Sequence, residues 1–121
     1  MNEKFIQNLD KLPADVRREF ALLANRYGEK KKQNTIQNDF LSFVKHVWPD
    51  FIEGRHHKEI AEKFNKLASG EIKRLIINMP PRHTKSEFGS YLLPAWMVGK
   101  NPKLKIIQST NTTELSVRFG R

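Results

Sequence analysis

The chain has 121 residues, 38% of them hydrophobic and 29% charged, with no cysteine and a net charge of +9. Such a length suits one modest domain or part of one. No apolar run approaches the roughly 18 residues of a membrane span, and the lack of cysteine excludes disulfides and thiolate zinc sites. The N-terminal MNEKFIQNLDK carries acids and no signal-peptide core, so a cytoplasmic location is expected.

The positive charge is local. Residues 1–72 hold 13 basic and 11 acidic side chains, whereas residues 73–121 hold 9 basic ones against only Glu87 and Glu114. That asymmetry favours polyanionic partners such as nucleotide or nucleic acid, with a generic solubilising surface as the alternative.

In chain order, residues 2–11 and 13–27 are predicted as helices. The second has Pro13 in its first turn, Asp15 at the favourable end of its dipole and Gly28 just past its end. Phe20, Leu23 and Tyr27 make one apolar stripe on it, suited to packing. Glu29 to Asn34, with Lys30, Lys31 and Lys32, is expected as a solvated linker. A third helix starts at Asn38 or Asp39, carries Phe40, Phe43, Val44 and Val47 on one face and stops at Pro49. A fourth runs from about His56 to Leu67, groups Ile60, Phe64 and Leu67, and ends at Ser69-Gly70 with a left-handed cap. His56 and His57 are adjacent rather than one turn apart, a spacing that argues against zinc.

From Lys73 the pattern changes. Leu75, Ile76 and Ile77 form a continuous apolar run, with two β-branched isoleucines, suited to a buried strand and ended by Pro80 and Pro81. Ser86 to Val98 is expected as an apolar helix kinked by Pro94 and capped by Gly99. KLKIIQ, residues 103–108, repeats the strand character, and Thr110 to Thr113 can cap a last helix near Glu114. Strand, helix, strand, helix start argues for an α/β fold with a parallel sheet. The expected domains are a helical region with linker, 1–72, and the first part of an α/β core, 73–121.

Between the first strand and its helix lies Met79-Pro-Pro-Arg-His-Thr-Lys85-Ser86. A phosphate-binding loop needs a helix N-terminus, a lysine for terminal phosphates and a hydroxyl for magnesium. Lys85 and Ser86 are in register for the last two, with Ser86 the Mg2+ candidate, while Met79 and Thr84 fill the two glycine positions. The chemistry requires Thr84 to keep a negative φ, where a β-branched residue is comfortable. Pro81, Arg82, His83, Thr84, Lys85 and Ser86 are thus the candidate nucleotide-binding residues. Arg82 is the candidate catalytic group, touching the γ phosphate or developing transition-state charge in the manner of an arginine finger.

These residues carry a resemblance. From Phe40 to Arg121, the landmarks FVKHVWPDF, RHHKEI, LIINMPPRHTKSEF, AWMVGKNP and KIIQSTNTTELSVRFGR resemble the N-terminal ATPase region of the large terminase subunit of tailed bacteriophages. The resemblance implies the first βαβ part of an incomplete, RecA-like P-loop NTPase sheet, with Lys85 and Ser86 in a Walker A loop binding ATP and Mg2+. It implies a motor that packages double-stranded DNA into a procapsid during virion assembly. Portal and small terminase subunit would be its partners, and it would form a homo-oligomer in the host cytoplasm. In that family an aspartate-glutamate strand and nuclease acids follow, and neither occurs here. The expectation is therefore an N-terminal fragment, inactive alone, of an ATPase with a C-terminal nuclease. Between Asn38 and Arg74 there is also no glutamine to recognise adenine. Ser109 to Thr112 sits where translocases contact DNA, or simply caps a helix. The alternatives are a helicase-like translocase fragment and a non-catalytic basic nucleic-acid-binding protein.

Overall fold

The computed structural model describes residues 13–120, and all regular structure among them is helical. The chain divides into two units, residues 1–34 and 35–121. The helix expected over residues 2–11 lies outside the described residues.

The described part of the first unit belongs to α1 (Ala14–Asn38), which begins with the Pro13 carbonyl accepting from the Arg17 N–H at 3.0 Å. It does not stop at Gly28. That glycine lacks the left-handed φ a helix cap requires, and one interior glycine costs only about 1 kcal/mol relative to alanine. The lysines beyond it are good helix formers, so the expected linker is helical. No residue of α1 is buried; Leu23 and Tyr27 remain exposed.

In the second unit, α2 (Phe40–Val47) and α3 (Arg55–Ser69) form where their local signals place them. The Asp39 carboxylate caps α2 by accepting from the Ser42 N–H at 2.8 Å and the Ser42 hydroxyl at 2.6 Å. It also accepts from the Asn65 side-chain amide at 2.9 Å, while Asn65 Oδ1 accepts the Phe40 N–H at 2.9 Å. Two reciprocal bonds thus bolt the start of α2 to the middle of α3. Gly70, with φ of 81°, ends α3 as a left-handed cap.

Phe40 is the centre of the core. Its ring meets Phe64, Phe88 and Trp96 edge-on at centroid distances of 5.0, 5.4 and 5.5 Å, a preferred arrangement of aromatic quadrupoles. Val44, Ile60, Ala61, Leu92 and Leu93 complete the buried cluster. The Trp96 indole N–H, buried with its ring, donates to the Ile36 carbonyl at 3.1 Å.

Instead of one kinked helix, the segment after Lys85 contains a π-helical stretch (Glu87–Leu92) followed by α4 (Leu93–Lys100). Pro94 explains the change. It has no N–H for the carbonyl four residues back, which is Ser90's, and its ring crowds that carbonyl. Gln108 Nε2 donates to the Ser90 oxygen at 2.6 Å and replaces the missing partner. The last helix, α5, is Thr113–Gly120.

Among the described residues the expected parallel sheet is absent. Leu75, Ile77 and Met79 are half-buried against the core while Arg74, Ile76, Asn78 and Pro80 face outward, the period-two alternation of an extended chain. Around residues 104–110 the same alternation is weaker, with Leu104, Gln108 and Thr110 inward. Among the described residues, however, neither segment makes a ladder bond to the other or to any third segment. A strand exists only in a pair, because its N–H and C=O groups point sideways. The α/β, βαβ expectation is therefore overturned, and Ile76 and Ile107 are left 86% and 97% exposed.

Candidate anion-binding site

The sequence-predicted residues Pro81 to Ser86 are found together in the turn between the Leu75–Met79 segment and the helical start at Lys85. Arg82 has a φ of 66° and Thr84 a φ of 59°. Both are left-handed without being glycine, and for a β-branched residue this is an outlier; each such conformation costs about 1–3 kcal/mol. The requirement that Thr84 keep a negative φ is not met. The sign of φ alternates instead through Arg82, His83 and Thr84, the backbone setting in which successive N–H groups form anion-holding concavities.

Thr84 is in contact with His57, which is buried at the first turn of α3. His57 Nδ1 accepts the Gly54 N–H at 2.9 Å, which leaves the proton on Nε2. That N–H donates to the Thr84 hydroxyl oxygen at 2.7 Å, and the hydroxyl in turn donates to the His83 carbonyl at 2.6 Å. His83 Nδ1 donates to the Pro81 carbonyl at 3.0 Å, so the loop is tied to α3 and to itself. The Phe51 and Phe88 rings enclose the His57 imidazole at centroid distances of 4.8 and 5.0 Å. Burial, reinforced by the neighbouring His56 and His83 and opposed by Glu53, pushes the His57 pKa down and keeps the ring neutral. Sequence reading missed this contact; the signal available was a histidine pair preceding the loop, with nothing local to say which ring turned inward.

Lys85 and Ser86 are exposed at the helix start, and the Ser86 hydroxyl makes no capping bond. Among the described residues no group of three His, Asp or Glu side chains could hold a metal ion. The residues present do not form the strand, loop and helix cradle that Mg2+ and ATP require in a Walker A site.

Charge pairing divides the second unit. On α2 and α3, Lys45 and Lys58 pair with Glu53, Arg55 with Glu59, and Lys66 with Glu62 and Glu71. By contrast, exposed Lys73, Arg74, Arg82, Lys85, Lys103 and Lys105 have no carboxylate within 4.0 Å among the described residues. Lys100 lies over the Trp96 ring, 5.3 Å from its centroid.

An apolar groove of about 910 Å3 lies between Phe43, Val47 and Trp48 on one side and Tyr91, Val98 and Ile106 on the other. Two of its polar side chains are engaged within the chain, Glu87 by Arg118 at 3.0 Å and Gln108 by the Ser90 carbonyl.

No family model matches the chain, and no curated protein or solved structure does either. The resemblance to the phage terminase large subunit is not upheld, because that ATPase and its Walker A loop are built on a parallel sheet and the described residues contain no strand. The DNA-packaging motor, P-loop and ATP-binding expectations fall with it, as does the helicase-like translocase, which needs the same loop and strand. No helix among the described residues is long and apolar enough to cross a membrane.

Proposed function

We propose that this chain is a non-catalytic basic module that binds the phosphate backbone of double-stranded DNA. The observation that carries the reading is the segregation of charge: lysines and arginines of α2 and α3 are mostly neutralised by acids, whereas Lys73, Arg74, Arg82, Lys85, Lys103 and Lys105 are exposed and unpaired among the described residues. An unpaired cation can release a condensed counterion by meeting a phosphate; a paired one must first break its own bridge. The left-handed Arg82 to Thr84 turn adds backbone N–H groups to the same purpose. In this reading the chain works in the cytoplasm, alongside its DNA.

The test is fluorescence anisotropy of a labelled duplex titrated with the full chain at several salt concentrations. Each phosphate contact contributes about −0.9 to the slope of log K against log salt, so six cations predict a slope approaching about −5. Reversing Lys73, Lys103 and Lys105 to Glu should make it shallower by about 3. Mg2+ and ATP, expected at Lys85 and Ser86 from the sequence, enter only as a competitor and should displace DNA no better than tripolyphosphate. Salt-independent binding, or a slope untouched by the triple reversal, refutes the reading.

A further inference from the structure

The contact between His57 and Thr84 spans 27 residues of sequence and joins a buried imidazole to the one β-branched left-handed residue among those described. Both ring nitrogens of His57 are committed, one to the backbone that starts α3 and the other to the loop. The Thr84 carbonyl, one bond further on, accepts the Phe88 N–H at 2.9 Å and so begins the helical stretch that carries Phe88 into the core. A threonine free of its hydroxyl contact has no reason to remain at φ of 59°, since its β-branched side chain disfavours that region.

We propose that His57 is the positioning residue of the anion-binding turn, its Nε2–H holding the Thr84 hydroxyl so that residue 84 stays left-handed and Lys85 leaves the turn as the first helical residue. The inference rests on the reading of this turn as a phosphate contact, but its geometric half can be measured without any anion. A histidine is suited to the task because it is rigid and accepts on one side while donating on the other. Asparagine at position 57 reproduces the acceptor for the Gly54 N–H but is too short to reach Thr84.

The experiment is a double-mutant cycle on the full chain, read by amide hydrogen exchange at Phe88 relative to Val44 in the core and by the backbone chemical shifts of residue 84. His57→Asn should speed Phe88 exchange about tenfold, the order expected for losing one net hydrogen bond, and move residue 84 toward negative φ. Thr84→Val, which keeps the His57 ring and its packing in place but removes the hydroxyl that accepts from Nε2, should do the same. In a Thr84→Gly background, where a left-handed φ needs no hold, His57→Asn should add much less than it does on threonine, leaving only the loss of its packing on Phe88. Unchanged Phe88 exchange in both single variants overturns the proposal. So does a His57→Asn effect of equal size on threonine and on glycine, which would mark a purely structural histidine. On duplex DNA, His57→Asn and Thr84→Val should weaken binding several-fold and Thr84→Gly should restore it to the His57→Asn chain. If exchange responds while DNA affinity does not, the turn is not an anion contact and the proposal falls. If the unaltered chain binds no DNA at all, the functional reading fails, and the exchange cycle still decides whether His57 positions the turn.

Discussion

Replacing Asp39 by alanine removes more than a helix cap. The carboxylate accepts three hydrogen bonds, from the Ser42 N–H, the Ser42 hydroxyl and the Asn65 amide. Loss of an N-cap costs about 1 kcal/mol. The half-buried Asn65 Nδ2 then has no acceptor, at a cost of about 1–2 kcal/mol. Asn65 still accepts the Phe40 N–H but loses the bond that orients its amide, so the expected total is about 2–3 kcal/mol. The loss falls where the core is most sensitive, because Phe40 follows the cap directly and is fully buried. Urea denaturation followed by far-UV circular dichroism measures it as a lowered midpoint at unchanged slope. Asp39→Asn, which keeps one acceptor oxygen, should lose less than half as much. The pH dependence has a definite sign. Burial pushes the Asp39 pKa up, but hydrogen bonds from Ser42 and Asn65, with help from Lys45, outweigh it and hold the carboxyl below its ordinary value. A carboxylate depressed in the folded state contributes stability above its unfolded pKa and loses it as pH falls through the folded pKa. The unaltered chain should therefore lose its advantage over Asp39→Ala on acidification. A loss under about 0.5 kcal/mol at neutral pH, within the range of an ordinary surface substitution, would refute the view that this network fastens α2 to α3.

Phe40→Ala should destabilise the second unit by about 3–5 kcal/mol, since the ring joins three other aromatic groups and leaves a cavity none of them can fill alone. Loss of the near-UV dichroism of Trp96 would report it, and an unchanged near-UV spectrum would count against a single shared core. Gly70→Ala should cost about 1 kcal/mol, because the added Cβ meets no atom within 4 Å but is strained at φ of 81°. A thermal melt unchanged by this substitution would remove the left-handed cap from the description of α3.

The two helices of the core were legible because their signals are local. Asp39 before an apolar stripe and Gly70 after one mark the ends of α2 and α3 whatever the rest of the chain does. Phe40, Val44, Ile60 and Phe64 follow from spacing alone, and all four are buried. The break at Pro94 was legible too, although its π-helical form and the Gln108 side chain that answers the Ser90 carbonyl were not.

The isoleucine-containing apolar runs at Leu75–Ile77 and Leu104–Ile107 misled for the opposite reason. Their composition describes a residue type that fits a sheet, but a sheet is a relation between segments, and among the described residues no ladder joins these. Gly28 misled in a smaller way, since one glycine weakens a helix without ending it. The candidate turn was found from the register of Lys85 and Ser86, yet its left-handed Thr84 could not be, because that conformation is imposed by a histidine 27 residues earlier. The sequence by itself determined the helix caps, the apolar faces that meet at Phe40 and the place where basic residues outnumber acids. Only the tertiary structure decided which cations stay unpaired among the described residues, that the two apolar runs stay unladdered among them, and that His57 turns inward to meet the loop, because each depends on contacts between groups far apart along the chain.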